Sequence, residues 1–394
     1  MSKINVRSPY YVSITATNLI SCKLELFIYQ GLQAAGGASG ASNGRSATPT
    51  YTLNSFAVDE RCTFEISELV RDFFDNEFDG DYSTEIFFVD YKTTNTIQTE
   101  IGSATSFTQL KAFYGYGFFE DGVQNQVTDV DTSTTTSSTI NNKALLQSNT
   151  TIVKLDDAPA VIPVDTSLAT RVSYELNGIE VFSKLINSST NTNAQIEYVT
   201  SGVDGADEFE NRVLQDSGTF ESSPCLEEFE GDFTLFDFDS IYVDSSQGVT
   251  KITVKSESEC KFTPLKITFV NKYGVLQDIW FLKRSNESLR TREQEFKKNI
   301  ISSGSYNISK HQNKTLTKNG SETLTLNSGY YPEVYNDVFK EMLLSEDCWI
   351  EIESQTLPIK ISSSSFAYKT QLNDKIINYT IDVEFAFDTI NNVR

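Results

Sequence analysis

Histidine is almost missing from this chain: its 394 residues hold one, His311. Ser/His/Asp and Cys/His triads would all depend on that residue. It lies in the polar stretch SKHQNKTLTKNG between expected strands, where a loop histidine of no mechanistic role is the plain expectation. Cysteine is sparse and scattered. Cys22, Cys62, Cys225, Cys260 and Cys348 are odd in number and show no CxxC or Cys/His spacing, which argues against both zinc and a disulfide framework. Buried apolar thiols in a protein assembled in a reducing cytosol are expected instead. No run of about 18 apolar residues occurs, and the start MSKINVRSPYYVSITATNL lacks the apolar centre of a signal peptide. Rossmann, Walker and HExxH patterns are absent too. No catalytic, cofactor-binding or metal-ligating residue is assigned, and no cofactor is expected.

Basic residues are scarce in one part only. Up to Asp244 the chain carries 13 Lys and Arg against 36 Asp and Glu, whereas Ser245 to Arg394 is balanced at 19 against 18. The net charge of -22 therefore resides in the first two thirds. Nucleic-acid affinity comes largely from Lys and Arg displacing counterions, so DNA and RNA are poor partners for that part, and anionic membranes are disfavoured for the same reason.

Present in abundance are 18 Tyr, 27 Phe and many Thr, Ser, Ile and Val, a composition that favours strands. The fold class expected is mainly β: tandem β-sandwich-like domains with a few short helices, and an α+β C-terminal domain. At about 100 to 200 residues per domain, three fit the length. They are 1-165, an acidic N-terminal β domain with a flexible Gly/Ser-rich loop; 166-245, a small β-sandwich module; and 246-394, a β-rich docking domain with one helix.

The pattern along the chain sets these expectations. YYVSITA and KLELFIYQG alternate as one buried sheet face requires. GLQAAGGASGASNGRSATPT, Gly31 to Thr50, buries too little apolar surface to order itself and reads as a long flexible loop. It also lacks the Lys-Ser/Thr and following helix of a phosphate-cradling loop. Ile66, Leu69, Val70, Phe73 and Phe74 recur at helical spacing, with Ser67 as a natural N-cap and a stop near DNEFDGD. That acidic stop begins like an EF-hand at Asp75, Glu77, Asp79, Gly80 and Asp81. Position 12 is Ile86 rather than a bidentate Glu, and a strand follows, so a solvated turn is expected.

From Thr128 the polar run TDVDTSTTTSSTINNKALLQSNT reads as a loop or spacer too rich in Ser and Thr for a core. Asn177-Gly178 marks a hairpin between VSYEL and IEVFSKL, and Asn319-Gly320 a second one inside TLTKNGSETLTL. In CLEEFEGDFTLFDFDSIYVD, Asp237 and Asp239 share a strand face with Phe238 on the other. Paired carboxylates can cleave glycosides, but solvent-facing acids opposite a buried Phe account for this run without chemistry. Pro332 opens a helix bearing Val334, Val338 and Met342 beside Tyr335, Phe339 and Leu343. The segments WIEIES, LPIKIS and SFAYKT alternate. In IINYTIDVEFAFD, Ile377, Tyr379, Ile381, Val383, Phe385 and Phe387 hold every second place, the clearest strand of all.

FVNKYGVLQDIWFLKRSNESLRTREQEFKKNI, Phe269 to Ile300, raises the functional question. A hairpin turning at Lys272 to Gly274 leads to Trp280, which with Trp349 is either a core residue or an anchor for a neighbour. Lys283, Arg284, Arg290, Arg292, Lys297 and Lys298 are then interleaved with Glu287, Glu293 and Glu295. A mixed field steers DNA poorly and suits either pairing with a patterned protein surface or a solvated loop with weak surface ion pairs.

LKITFVNKYGVLQDIWFLKRS with TREQEFKKNI, TLTLNSGYYPEVYNDVFKEMLLSEDCWI, and LPIKISSSSFAYKTQLNDKIINYTIDVEFAFD resemble virion structural proteins of tailed bacteriophages. SPYYVSITATNLISCKLELFIYQG and FEISELVRDFFDNEFDGDY at the N-terminal end are similar to them as well. The resemblance implies a non-enzymatic component of the tail, baseplate or neck, assembled in the host cytoplasm and localised to the virion. Its partners would be other virion structural proteins, and it would form a homo-oligomer in a symmetric ring. The rival is a host-attachment fibre or lectin-like adhesin touching host surface glycans, or a capsid-attached decoration protein.

Overall fold

Segments rich in Thr, Tyr and Val with apolar side chains at alternate positions settle as strands because only one face of each can be buried. The computed structural model describes residues 2–30, 46, 48–98, 100–102, 107–118, 126–129, 134–135, 143–186, 196–200, 238–302, 304–306, 308–353, 355–363 and 376–390. Within them the protein is mainly β, with α-helices only at Ser67–Arg71 and Asn336–Leu344. Two compact units emerge, Met1–Ser258 with Phe269–Asp278, and Glu259–Thr268 with Ile279–Arg394. The expected divisions after 165 and 245 both fall inside the first unit. The Gly31 to Thr50 loop lies outside the described residues save for positions 46 and 48–50.

In the first unit, one sheet orders its strands Ser2–Asn5, Thr108–Phe113, Phe87–Ile97, Leu19–Tyr29 and Tyr51–Phe56, with Glu100–Ile101 on Phe87–Ile97. Alternation in Leu19–Tyr29 buries Cys22, Leu24 and Leu26. It turns Glu25 towards Lys23 and Lys92, at 2.7 and 2.8 Å, and the two ammonium groups hold its carboxyl below the usual range. A second sheet runs Thr134–Thr135, Gln126–Asp129, Tyr10–Thr15, Arg61–Glu65. The Ser/Thr-rich run from Thr128, expected to be a spacer, thus holds Thr134–Thr135 and the end of Gln126–Asp129. Gln126–Asp129 lies parallel to Tyr10–Thr15, a pairing more than a hundred residues apart in sequence that local composition cannot announce. The end of the same run, Ala144 to Leu146, is buried core.

The first helix is shorter than its stripe suggested. Ser67 is its first residue rather than its N-cap. The cap position belongs to Ile66, which has no side-chain cap bond. The carboxylate of Glu65 accepts the Ser67 amide at 2.8 Å and also its hydroxyl, so the acid takes up the orphan donor that a capping serine would have served. The helix stops at Arg71, and Phe73 and Phe74 pack on Phe87 by ring contact instead of continuing the stripe.

A third sheet, Thr151–Leu155, Gly248–Glu257, Ser240–Ser245, Ala169–Leu176, Ile179–Leu185, shares a core with the pair Val161–Asp165 and Ile196–Thr200. This is a small sandwich: Val172, Tyr174, Ile241 and Ile252 meet Ile162, Val164 and Val199, and the Tyr174 hydroxyl donates to the Val199 carbonyl at 3.1 Å. Asn177-Gly178 is the turn expected, with φ of 52° and 79°. Two strands of this sheet, Thr151–Leu155 and Gly248–Glu257, come from outside 166-245 and pair in parallel.

The seven-stranded sheet of the second unit runs Leu276–Phe281, Leu265–Val270, Cys348–Ile352, Gln355–Ile361, Thr380–Phe385, Asn313–Asn327, Lys283–Lys297. Residues 269–278 of its first two strands are counted with the first unit. Glu333–Tyr335 forms a single 3-10 turn after Pro332, and the helix proper starts at Asn336. Val338, Phe339 and Met342 are buried and Leu343 partly so. Val334, placed by the expectation on the same stripe, is exposed because the tighter turn rotates it outward. Phe339 meets Phe281, Tyr331 and Tyr379 at ring separations of 4.9 to 6.4 Å. The clearest strand of the sequence is broken at Asn378-Tyr379: Ile376–Ile377 pairs with Tyr331–Pro332 and Thr380–Phe385 enters the main sheet. Its alternate residues are buried as far as Val383, whereas Phe387 is exposed. SFAYKT lies outside the described residues.

Candidate docking surface

The mixed-charge run after Trp280 is neither a loop nor a helix. Lys283–Lys297 is one strand of 15 residues, about 50 Å long at about 3.4 Å per residue. Asn313–Asn327 runs antiparallel to it, from Lys283↔Asn327 to Lys297↔Asn313. Asn319-Gly320 therefore lies in mid-strand opposite Arg292 and Thr291, and no turn occurs there. The Asn-Gly hairpin turn of type I′ needs positive φ at both residues, which Asn177 and Gly178 have and this pair does not. The glycine serves close approach instead. A Cβ on Gly320 would sit 2.9 Å from Leu289 Cδ1, so the leucine lies across the bare backbone.

Among the described residues, neighbouring chain supports the ribbon only at its root. Thr323–Asn327 also pairs with Thr380–Glu384, the Thr389 amide donates to the Gly320 carbonyl at 2.8 Å, and Asn319 bonds Asp388 and Ile390. Past Asn319, among the described residues, Asn313–Lys318 pairs with the long strand alone. A register shift opposite Gln294/Glu295 leaves Leu316 as an extra residue. Leu289, Phe296 and Leu316, with Ile301 and Ile308 in the connection, are all exposed large apolar side chains.

Alternation sorts the charge. Glu287, Leu289 and Glu293 stand opposite Leu324, Glu322 and Lys318, on the face that further in becomes the core. Arg290 and Arg292 stand opposite Ser321 and Asn319 on the other face. Glu293 pairs with Lys318 at 3.2 Å and Arg292 with Glu384 at 3.3 Å, whereas Glu287 and Arg290 have no charge partner among the described residues. At the root, Lys283 bonds Glu259 at 2.6 Å and holds that carboxyl below its usual range.

The other singled-out residues are dispersed. Asp237 lies outside the described residues. Asp239 accepts the Asn177 amide at 3.0 Å, a turn-stabilising role, while Phe238 is buried against Tyr174. His311 is exposed beside the ribbon. Asp79 accepts the Asp81 amide within its own turn, and no group of three His, Cys, Asp or Glu among the described residues could hold a metal ion. Trp349 is buried and Trp280 half-buried, its carbonyl accepting the Tyr331 hydroxyl at 2.6 Å. Cys22, Cys62 and Cys348 are buried free thiols, as expected. Cys260 is exposed, contrary to expectation, because it sits in the irregular link before Leu265–Val270. Cys225 lies outside the described residues.

No family model matches this chain, and no curated protein matches it.

Two open clefts lie among the described residues. One of about 350 Å³ in the first unit is rimmed by Asp75, Glu77 and Glu85 with Ser83 and Thr84. Another of about 250 Å³ in the second unit is floored by Leu357, Phe385 and Phe387 beside Glu322 of the ribbon strand. Reading the run by residue type missed the ribbon. The signal that could have found it was parity: the two arginines at 290 and 292 fall on even positions, and the glutamates at 287, 293 and 295 on odd ones.

Proposed function

We propose that this chain is a non-enzymatic structural component of a tailed-phage virion, built into the tail, baseplate or neck by protein–protein contacts repeated around a symmetric ring. The observation that carries the reading is the exposed two-stranded ribbon of Lys283–Lys297 and Asn313–Asn327. Its root is held by buried Leu324 and Leu326, while its far part, with exposed apolar residues and charges of both signs, offers backbone and side chains to a neighbour. Placement in a phage particle rests on the resemblance of both ends of the sequence to such virion proteins. In a ring, each modest contact is multiplied by the number of subunits, so moderate pairwise affinity suffices.

Cryo-electron microscopy of the intact particle tests this. The expected outcome is many copies at symmetric positions in the tail, with the ribbon against a neighbouring chain. A distal fibre position, or retention of host glycans by the isolated protein, would overturn it in favour of an attachment protein.

A further inference from the structure

We propose that the free edge of Lys283–Lys297 takes up an extended segment of a partner protein in which two acidic residues alternate opposite Arg290 and Arg292, with a basic residue at each end opposite Glu287 and Glu293. The inference holds wherever the protein resides, since it rests on the ribbon alone.

Three observations carry it. First, the strand ends the sheet order, and among the described residues its only strand partner is Asn313–Asn327. Among the described residues, one row of its backbone donors and acceptors is therefore open along a strand of 15 residues. Exposed edges are ordinarily kept short or interrupted by proline, but Lys283–Lys297 contains neither Pro nor Gly.

Second, charges scattered to keep an edge soluble need not be sorted, and these are. Between Glu287 and Glu293 the arginines lie on one face and the glutamates on the other, and among the described residues Arg290 and Glu287 have no charge partner. Opposite charges directly across a strand pair are favourable and like charges unfavourable, by roughly 0.2–1 kcal/mol each.

Third, the sorting disfavours the same strand of a second copy wherever Glu287–Glu293 would lie against itself. Two identical strands paired antiparallel about a two-fold axis keep each face continuous, so the arginine face would meet itself and the glutamate face itself. The site selects a different strand. Running antiparallel, its order is base, acid, any, acid, apolar, any, base, the apolar residue lying opposite Leu289.

The probe is the peptide Thr-Lys-Glu-Thr-Glu-Val-Thr-Lys-Thr, whose side-chain charges cancel, added to the full chain and followed by fluorescence anisotropy and amide hydrogen exchange. Binding should slow exchange of outward amides between Asn286 and Gln294 and weaken with salt. Arg290→Glu with Arg292→Glu should lower affinity about tenfold or more by turning two attractions into repulsions. The same composition with its acids adjacent at one end should bind at least several-fold more weakly, and N-methylation at alternate residues should abolish binding by removing the strand's donors. Equal binding of the reordered or N-methylated peptide would overturn the inference. So would self-association of the chain that is lost in the double-arginine variant while the peptide fails to bind, since a second copy would then occupy the edge.

Discussion

The two Asn-Gly pairs of this protein have the same chemistry and opposite fates. At Asn177-Gly178 the flanking strands bury a common face: Tyr174 and Phe182 stack in the sandwich core, and Asp239 receives the Asn177 amide. The chain reverses there because both residues adopt positive φ. At Asn319-Gly320 the strand continues, because Asn319 is held sideways by Asp388 and Ile390 and Gly320 lies under Leu289. A dipeptide offers a turn, and the partners available to the flanking residues decide whether it is taken.

Substitutions sharpen the contrast. Tyr174→Ala, which empties a fully buried ring site and removes the hydroxyl bond to the Val199 carbonyl, should lower stability by about 4 kcal/mol in chemical denaturation. Retention of stability within about 1 kcal/mol would mean that the sandwich does not depend on its core tyrosine. Gly178→Val places a β-branched residue at φ of 79°, where space is open but the backbone is strained, and should cost about 2 kcal/mol. Gly320→Ala should cost less than about 1 kcal/mol, since its Cβ would meet the flexible tip of Leu289 rather than backbone. A cost at Gly320 equal to that at Gly178 would erase the distinction. Leu289→Ser on the exposed ribbon should lie within about 0.5 kcal/mol of the parent, measured by the same unfolding midpoint.

Acid provides the mildest probe, at the ribbon's root. The folded carboxyl of Glu259 is depressed chiefly by its bond to Lys283, so its contribution is present above the unfolded pKa and lost as pH falls through the lower folded value. Lys283→Met should raise the Glu259 midpoint followed by carboxyl-carbon NMR. An unmoved midpoint would assign the depression to the Lys261 and Phe262 amides instead.

Where one face is buried by a neighbour close in sequence, the pattern was readable. The hairpin of Ala169–Leu176 and Ile179–Leu185 could be drawn from letters, as could the buried alternation of Ile377 to Val383. Pairings set by distant segments could not. Nothing in TDVDT announces a partner at Tyr10–Thr15, and Thr151–Leu155 gives no hint of joining Gly248–Glu257 in parallel. The ribbon escaped for a different reason. Both its faces are wet over much of its length, so no apolar period marks it, and only the parity of its charges records that it is a strand.

The division of the chain also fixes an order of events during synthesis. The first unit recruits Phe269–Asp278, where Asn271 bonds the Leu146 carbonyl and Gln277, and Gln277 bonds Asn149. Gly274 nests there with φ of 77° so close to Tyr114 that any side chain would strike backbone at 2.7 Å. None of this can form until the ribosome has delivered Asp278, although the earliest strands emerge some 270 residues sooner. Pairings that close such long loops are slow, so the side-chain bonds of Asn271 and Gln277 are the last of the first unit to form. The excess of like charge in that part repels other copies meanwhile.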